Sequence, residues 1–393
     1  MSGLDHIFLY CLMFALAIIY DKQYRLSLYN SSTSIRPNIL PLISASLAIV
    51  FIITEGLRYG RGVDQIGNYG PFYLHCMRPD LWQQKMEWLF VLLNQAVFTI
   101  DFTTDFFPFG LIFVIYAAIF WYCLWKLYKD YRGNSKYFLV FAIMATNFIT
   151  EWTIRQGVSY GFILLGIHYL LNQRLKQLTL CVIIAFGIHN GNIVAILLLG
   201  LCYTFLNKKP LPWKITVPLF IFLEFTMQST AFWEISRYIF NSLNQFPFME
   251  KFQGYAEQDV FEMESNLANE WQRGIFTQLI TVAFYSSLLI IGNLVYRRIK
   301  NKDGMRNVFI YNSFVIGIML FEPFRLSGSL IRGFIGPSTL WFIPISLAFY
   351  YIPTLSAQFK VCRYAIFIII LYCVMFLSRY IFLNSEANYI WNL

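Results

Sequence analysis

The sequence predicts an all-α, polytopic integral membrane protein, and three observations predict it. First, 58% of the 393 residues are hydrophobic and only 13% are charged, whereas soluble domains carry about a quarter charged residues. Such a chain has ample apolar surface to bury, which excludes disorder, but too few charges to cover a soluble enzyme's surface. Second, residues 37–54, 106–125, 156–173, 274–296 and 333–359 contain no Lys, Arg, Asp or Glu. Each run is near or above the roughly 18 residues that a spanning helix needs. Third, the basic residues are segregated into a few short loops.

Shorter apolar stretches at 6–20, 137–150, 215–235, 307–321 and 364–383 complete the set of candidate spans. The first stretch lacks a basic leader and a small-residue cleavage site, so it reads as a mature span rather than a signal peptide. No repeat, low-complexity tract or linker interrupts the chain, which predicts a single membrane domain over 1–393. The longest uncharged run, 177–207, would be about 46 Å long as one helix, against a hydrocarbon core of about 30 Å. Its centre, Phe186-Gly187-Ile188-His189-Asn190-Gly191-Asn192, predicts a break, with two short membrane segments meeting at a turn that holds His189. One long tilted helix with a core histidine is the alternative.

Charge asymmetry sets the orientation. Six loops, around 21–36, 126–136, 174–176, 208–214, 297–306 and 360–363, hold 19 of the 30 basic and 3 of the 21 acidic residues. Short basic loops belong on the cytoplasmic side. Both flanks of 177–207 are basic, so that run crosses twice. Segment 86–100 cannot cross once without inverting the basic 126–136 loop. Residues 57–108 therefore read as an external loop with a re-entrant or interfacial helix, and 236–272 as a second external loop. The count reaches about twelve spans with both termini outside. The net charge of +9 is divided among these orienting loops, which argues against a nucleic-acid partner. The seven cysteines show no metal or disulfide spacing, and only Cys76 lies in an external loop.

Four patches fall on the outer side. The first, Glu55 to Tyr69, carries Arg58, Arg61 and Asp64 among four glycines. Glycines admit close approach of a ligand, and the Arg fork suits phosphate or carboxylate; an Arg–Asp pair anchored at lipid headgroups is the alternative. The second is Arg155-Gln156, opening a span. An arginine there lines a wet cavity or pairs locally, with Glu151 four residues away as the local partner. In the third, His189 is either a general base at the membrane edge or a satisfied core histidine. The fourth, Glu322 to Gly333, places Arg325 and Arg332 two helical turns apart, facing one cavity or anchoring headgroups. Arg58, Arg61, Arg155, Arg325 and Arg332 are five of only eleven basic residues outside the six basic loops. Their retention suggests an anionic ligand at the outer interface. Glu224 lies near the centre of an apparent span, with no assigned role.

In order along the chain, Leu57-Arg58-Tyr59-Gly60 with Gly62 and Asp64, Glu87-Trp88-Leu89-Phe90 with Leu93-Asn94, Arg155-Gln156, Ala185-Phe186-Gly187-Ile188-His189 and Arg325-Leu326-Ser327 resemble the motifs of the EpsG-like branch of the Wzy-type bacterial polysaccharide polymerases. The match departs at Gln65, where that family has an aromatic residue, and at Tyr69, which lies further from Asp64 than usual. The resemblance implies a GT-C-like glycosyltransferase in the bacterial cytoplasmic membrane, with its active site facing the periplasm or exterior. It would join undecaprenyl-pyrophosphate-linked oligosaccharide units of O-antigen, capsule or exopolysaccharide, with no cofactor and no metal. It also implies lipid-linked donor and acceptor, membrane lipids, and a chain-length regulator and flippase as partners. His189, Asp64 and Arg155 would be catalytic. Arg58, Arg61, Arg325, Arg332, Tyr69 and Gln156 would bind pyrophosphate or glycan. An O-antigen-ligase-like transferase, a membrane-bound acyltransferase using His189-Asn190, and a non-enzymatic transporter of lipid-linked glycan are the rival readings.

Overall fold

A computed structural model describes residues 2–29, 39–59, 69–81, 86–101, 110–152, 154–226, 275–299, 307–321, 330–358, 360–378 and 388–389. These are helical apart from their connections and one two-residue pairing. The chain divides into two compact units, Met1–Asn192 with Cys373–Leu393, and Ile193–Tyr372.

The first unit contains α1 (Ser2–Tyr29), α2 (Ile39–Gly56), the short α3 (Gly70–Leu74), α4 (Trp88–Phe98), α5 (Gly110–Tyr131), α6 (Phe138–Trp152), α7 (Ile154–Leu171) and α8 (Leu175–Ile188). Strand β1 (Arg58–Tyr59) pairs antiparallel with β2 (Asn388–Tyr389), Arg58 opposite Tyr389. Helix α7 is the hub and packs on α8, α5 and α6. It is buried on nearly every face from Ile154 to Ile167. The sequence allows this because Gly157, Ser159, Gly161 and Gly166 are small enough for neighbouring backbones to approach. A Cβ at Gly161 would lie 3.3 Å from the Phe120 ring.

The ends of this bundle differ in charge. Asp130 near the end of α5 accepts from the His168 ring at 2.7 Å and from Asn172 Nδ2 at 3.1 Å, which joins the C-terminal ends of α5 and α7. Lys126, Lys129 and Arg132 lie at that end, as do Arg174 and Lys176 at the start of α8. Gln173, at φ 57°, takes the left-handed conformation that closes the tight turn between α7 and α8. Fourteen residues of α8 then carry the chain about 21 Å to the opposite end.

At that end, polar side chains are buried among helices. The Tyr10 hydroxyl lies 2.9 Å from Glu55 Oε1 and 3.1 Å from Asn147 Oδ1, joining α1, α2 and α6. Glu55, which the sequence places at the start of the first external patch, is 6% exposed. A cavity of about 20 Å³ beside it is lined by Phe51, Tyr116, Phe120, Ile154 and Gly157, room for a single water. Helix α2 ends where it crosses α5. A Cβ on Gly56 would meet the Val114 Cα at 2.7 Å. Backbone cannot swing aside as a side chain can, so Gly56→Ala is expected to push α2 off α5. The expected loss is about 1–3 kcal/mol, read as a lowered unfolding midpoint of the purified protein in detergent.

The second unit contains α9 (Ile193–Phe205), α10 (Trp213–Thr226), α11 (Ile275–Ile299), α12 (Val308–Phe321), α13 (Leu330–Thr339), α14 (Phe342–Gln358) and most of α15 (Lys360–Ser378). Helix α12 is its centre, buried almost throughout and packed on α13 and α9. Asn312 of α12 fastens the basic 206–211 connection: its Nδ2 donates to Leu206 O at 2.6 Å and Lys209 O at 2.9 Å, and its Oδ1 accepts the Leu211 N–H at 2.9 Å. Asn293 Nδ2 donates to Leu211 O at 2.6 Å. The uncharged run 333–359 is helical over its described residues apart from a turn at Leu340–Trp341. Glu224 is buried in α10 at 2% exposure.

Among the described residues, six helices are long and apolar enough to cross a membrane: Leu4–Leu28, Ile39–Gly56, Leu111–Tyr131, Gln278–Arg298, Gly333–Tyr351 and Lys360–Ser378. These six do not by themselves establish the twelve or so spans that the sequence predicts, some of which it predicts to be short. Five further apolar helices, Trp88–Phe98, Phe138–Asn147, Leu175–Ile188, Asn190–Phe205 and Val308–Phe321, are shorter. The break expected at His189 is present, and segment 86–100 contains the short α4 inside the expected external loop. The 236–272 loop lies outside the described residues.

Candidate functional site

The site is built where α7 begins and α8 ends. Arg155 is the second residue of α7. A cation there opposes the positive end of the helix dipole, so an anion must hold it. That anion is Glu87, sixty-eight positions earlier: Arg155 Nη1 donates to Glu87 Oε2 at 2.5 Å. Both side chains are close to fully buried, at 11% and 8% exposure. Arg155 Nη1 also lies 3.1 Å from the Met86 sulfur. The sequence reading offers Glu151 as the local partner; the ion pair formed is with Glu87, and the Glu151 side chain lies outside the described residues.

Glu87 is the N-cap of α4, yet its side chain makes no capping bond to its own helix. The carboxylate is turned to the tertiary site instead. Its Oε1 accepts the Asn190 N–H at 3.3 Å and lies 3.8 Å from His189 Nδ1. One carboxylate thus spans Arg155 and the His189 turn.

The turn is held in place by α7. His189 closes α8 in an extended conformation, φ −151° and ψ 104°, and Asn190–Asn192 form a single 3-10 turn. Asn192 Nδ2 donates to Ser159 Oγ at 2.8 Å and approaches Gln156 O at 3.3 Å. Ser159 Oγ donates to Ala185 O at 2.6 Å, which also accepts the His189 N–H at 3.0 Å. Two glycines are required by close approach. A Cβ on Gly187 would press on Trp88 and Leu89 at 3.0–3.2 Å, and one on Gly191 would lie 2.8 Å from His189 Nε2. Gly191 thus sets no side chain against Nε2.

Aromatic rings form the other wall. The Arg155 guanidinium lies 5.8 Å from the Tyr69 centroid and 5.9 Å from that of Phe90, within cation–π reach. Tyr69 meets Phe90 edge-on at 5.6 Å. The 69–81 segment is secured to α4 by Gln95 Nε2 donating to Cys76 O at 2.9 Å and by the Tyr73 hydroxyl donating to Asp101 Oδ2 at 2.5 Å. Burial, and then that carboxylate, hold the Tyr73 hydroxyl protonated far above the usual phenol range. Burial pushes the Cys76 thiol up to about 11, so the one cysteine expected in an external loop is a poor nucleophile.

The fold brings together Arg155, Gln156, His189 and Tyr69 of the residues singled out by sequence. Gln156 is buried at 2% exposure. Arg58 and Arg332 lie in described backbone, in β1 and α13, with undescribed side chains. Arg61, Asp64 and Arg325 lie outside the described residues. Sequence reading did not single out Glu87, Ser159 or Asn192 as site residues. The available signal for Glu87 was a lone carboxylate in an otherwise apolar context, Met86-Glu87-Trp88-Leu89-Phe90. Among the described residues, no group of three or more His, Cys, Asp or Glu side chains is placed to hold a metal ion.

No curated protein and no solved structure matches the chain significantly. A model of the EpsG family does match, from residue 39 to residue 392, nearly the whole length. With that coverage, the chain belongs to the EpsG family.

Proposed function

We propose that this protein is a membrane glycosyltransferase that joins undecaprenyl-pyrophosphate-linked oligosaccharide repeat units at the outer face of the bacterial cytoplasmic membrane and releases undecaprenyl pyrophosphate. Family membership supports the coarser part, a polysaccharide polymerase in a membrane. The observation that carries the finer part is the assembly of Arg155 and His189 on one carboxylate, at the end of the first unit away from its basic loops. By the positive-inside tendency, that end faces outward. A GT-C-like bundle of about twelve crossings remains the architecture we expect around it.

The reaction needs two things from the protein. An acceptor hydroxyl must lose its proton as it attacks the anomeric carbon, and the departing pyrophosphate must be stabilised as charge develops on it. His189 takes the proton. Arg155 stabilises the leaving group more in the transition state than in the ground state, and Arg58 and Arg325, then Arg61 and Arg332, are the further candidates for that role. Asp64 orients an arginine or serves as the second choice of base, and Tyr69 and Gln156 line the substrate side. No step in this scheme requires a metal or cofactor. A chain-length regulator and a flippase would supply and control the substrate.

The test is to incubate purified protein with a defined lipid-linked repeat unit, with and without chelator. The expected result is a ladder of lengthened products in both conditions. No elongation overturns the polymerase reading. Elongation lost with chelator and restored by a divalent cation overturns metal independence. Transfer only to a different acceptor would instead identify a ligase.

A further inference from the structure

We propose that Glu87 is a positioning residue that sets both working groups of the site, holding the Arg155 guanidinium through Oε2 and turning the His189 imidazole through Oε1 so that Nε2 meets the acceptor. The proposal rests on the functional reading above and assigns a role to a residue which that reading leaves unused.

Three observations carry it. The Glu87 side chain is buried and does not cap its own helix, although it occupies the N-cap position. Its two oxygens are divided: Oε2 binds Arg155, while Oε1 accepts the Asn190 N–H and faces His189 Nδ1. On the other side of the ring, Gly191 adds no side chain against Nε2, where a Cβ would stand 2.8 Å away. At 3.8 Å the Nδ1–Oε1 contact is electrostatic, and a shift of the ring by about 1 Å closes it to hydrogen-bond length. A carboxylate facing Nδ1 favours the tautomer with the proton on Nδ1, which makes Nε2 the proton-accepting nitrogen.

The step balances. The acceptor O–H bond breaks and its proton passes to Nε2. The acceptor oxygen bonds to the anomeric carbon, and the bond from that carbon to the pyrophosphate oxygen breaks. The electron pair leaves with the pyrophosphate, beside Arg155. The imidazolium formed carries a positive charge that Glu87 faces at the moment it appears. Arg155 and His189 would act in concert because the same side chain holds both.

The experiment uses the full chain in nanodiscs, labelled with ¹⁵N at the imidazole nitrogens. The chain has only four histidines, and His189→Ala identifies the His189 resonances. In the unsubstituted protein His189 is expected as the Nδ1–H tautomer. Glu87→Leu, which removes both acceptors at similar volume, is expected to populate the Nε2–H tautomer. It should also lower kcat by about 100-fold while KM moves by less than about threefold. Glu87→Gln keeps an acceptor but no charge, so it is expected to keep the tautomer and lower kcat by about tenfold. Should the Leu variant fail to fold, the Gln variant carries the test. An unchanged tautomer with unchanged kcat in Glu87→Leu overturns the proposal, as does unchanged kcat in Glu87→Gln. If no variant elongates, the unsubstituted protein included, the functional reading fails; a tautomer that still responds to Glu87 then supports the positioning role alone.

Discussion

Replacing Arg155 with alanine is expected to cost the protein both its activity and much of its stability. Elongation should fall by about 10²–10³-fold, the range seen when one preorganised donor to a developing anion is removed. Stability should fall by about 3 kcal/mol, the lower part of the range for breaking a buried ion pair, because the Glu87 carboxylate is left in place without its partner. The lower part applies because Oε1 keeps the Asn190 N–H and the N-terminus of α7 stays close. Three further variants separate the two effects. Arg155→Lys keeps a charge for Glu87 Oε2 but loses the planar fork and the stacking over Tyr69 and Phe90. It should hold most of the stability and lose activity by tenfold or more. Arg155→Ala with Glu87→Ala removes both charges, so it should regain stability over Arg155→Ala alone while remaining inactive. Unfolding midpoints in detergent read the first quantity and elongation of a lipid-linked repeat unit reads the second. Full activity in Arg155→Ala would remove this arginine from the chemistry.

That pair also shows how much of the site the sequence could disclose. An arginine opening an apolar helix is conspicuous because its cost in a membrane is high. The partner is not, since sixty-eight positions separate Glu87 from Arg155 and nothing in the spacing links them. The local rule proposed Glu151 on grounds of helical geometry, and the tertiary fold chose otherwise. The break at His189 was legible because Gly187, Asn190, Gly191 and Asn192 are local signals that act within one turn. Span count was less so. Hydropathy reports how apolar a run is, and that alone does not give the length of the helix it forms. The pairing of Arg58–Tyr59 with Asn388–Tyr389 is a two-residue contact between distant parts of the chain, below any periodic pattern. Asn312, which fastens the 206–211 connection with three hydrogen bonds, reads in the sequence only as one polar residue in an apolar run.

The other large effect is expected at His189. A general base contributes about 10²–10⁴-fold, so His189→Ala should reduce elongation by that factor and leave short or single repeat units in place of a ladder. The fold should persist. The turn is held by backbone and by Asn192 on Ser159 and Gln156, and the His189 side chain supplies none of those bonds. The informative companion is His189→Gln. Its amide nitrogen can face Glu87 much as Nδ1 does, so the site keeps its shape, but an amide does not accept a proton near neutral pH. If the imidazole served only to satisfy Glu87, the Gln variant would recover activity that the Ala variant lacks. If it takes the acceptor's proton, both variants are equally inactive while melting close to the unsubstituted protein. Full-length polymer from either variant would remove His189 as the base and pass that role to Asp64, the remaining candidate, whose replacement by asparagine would then have to abolish the ladder.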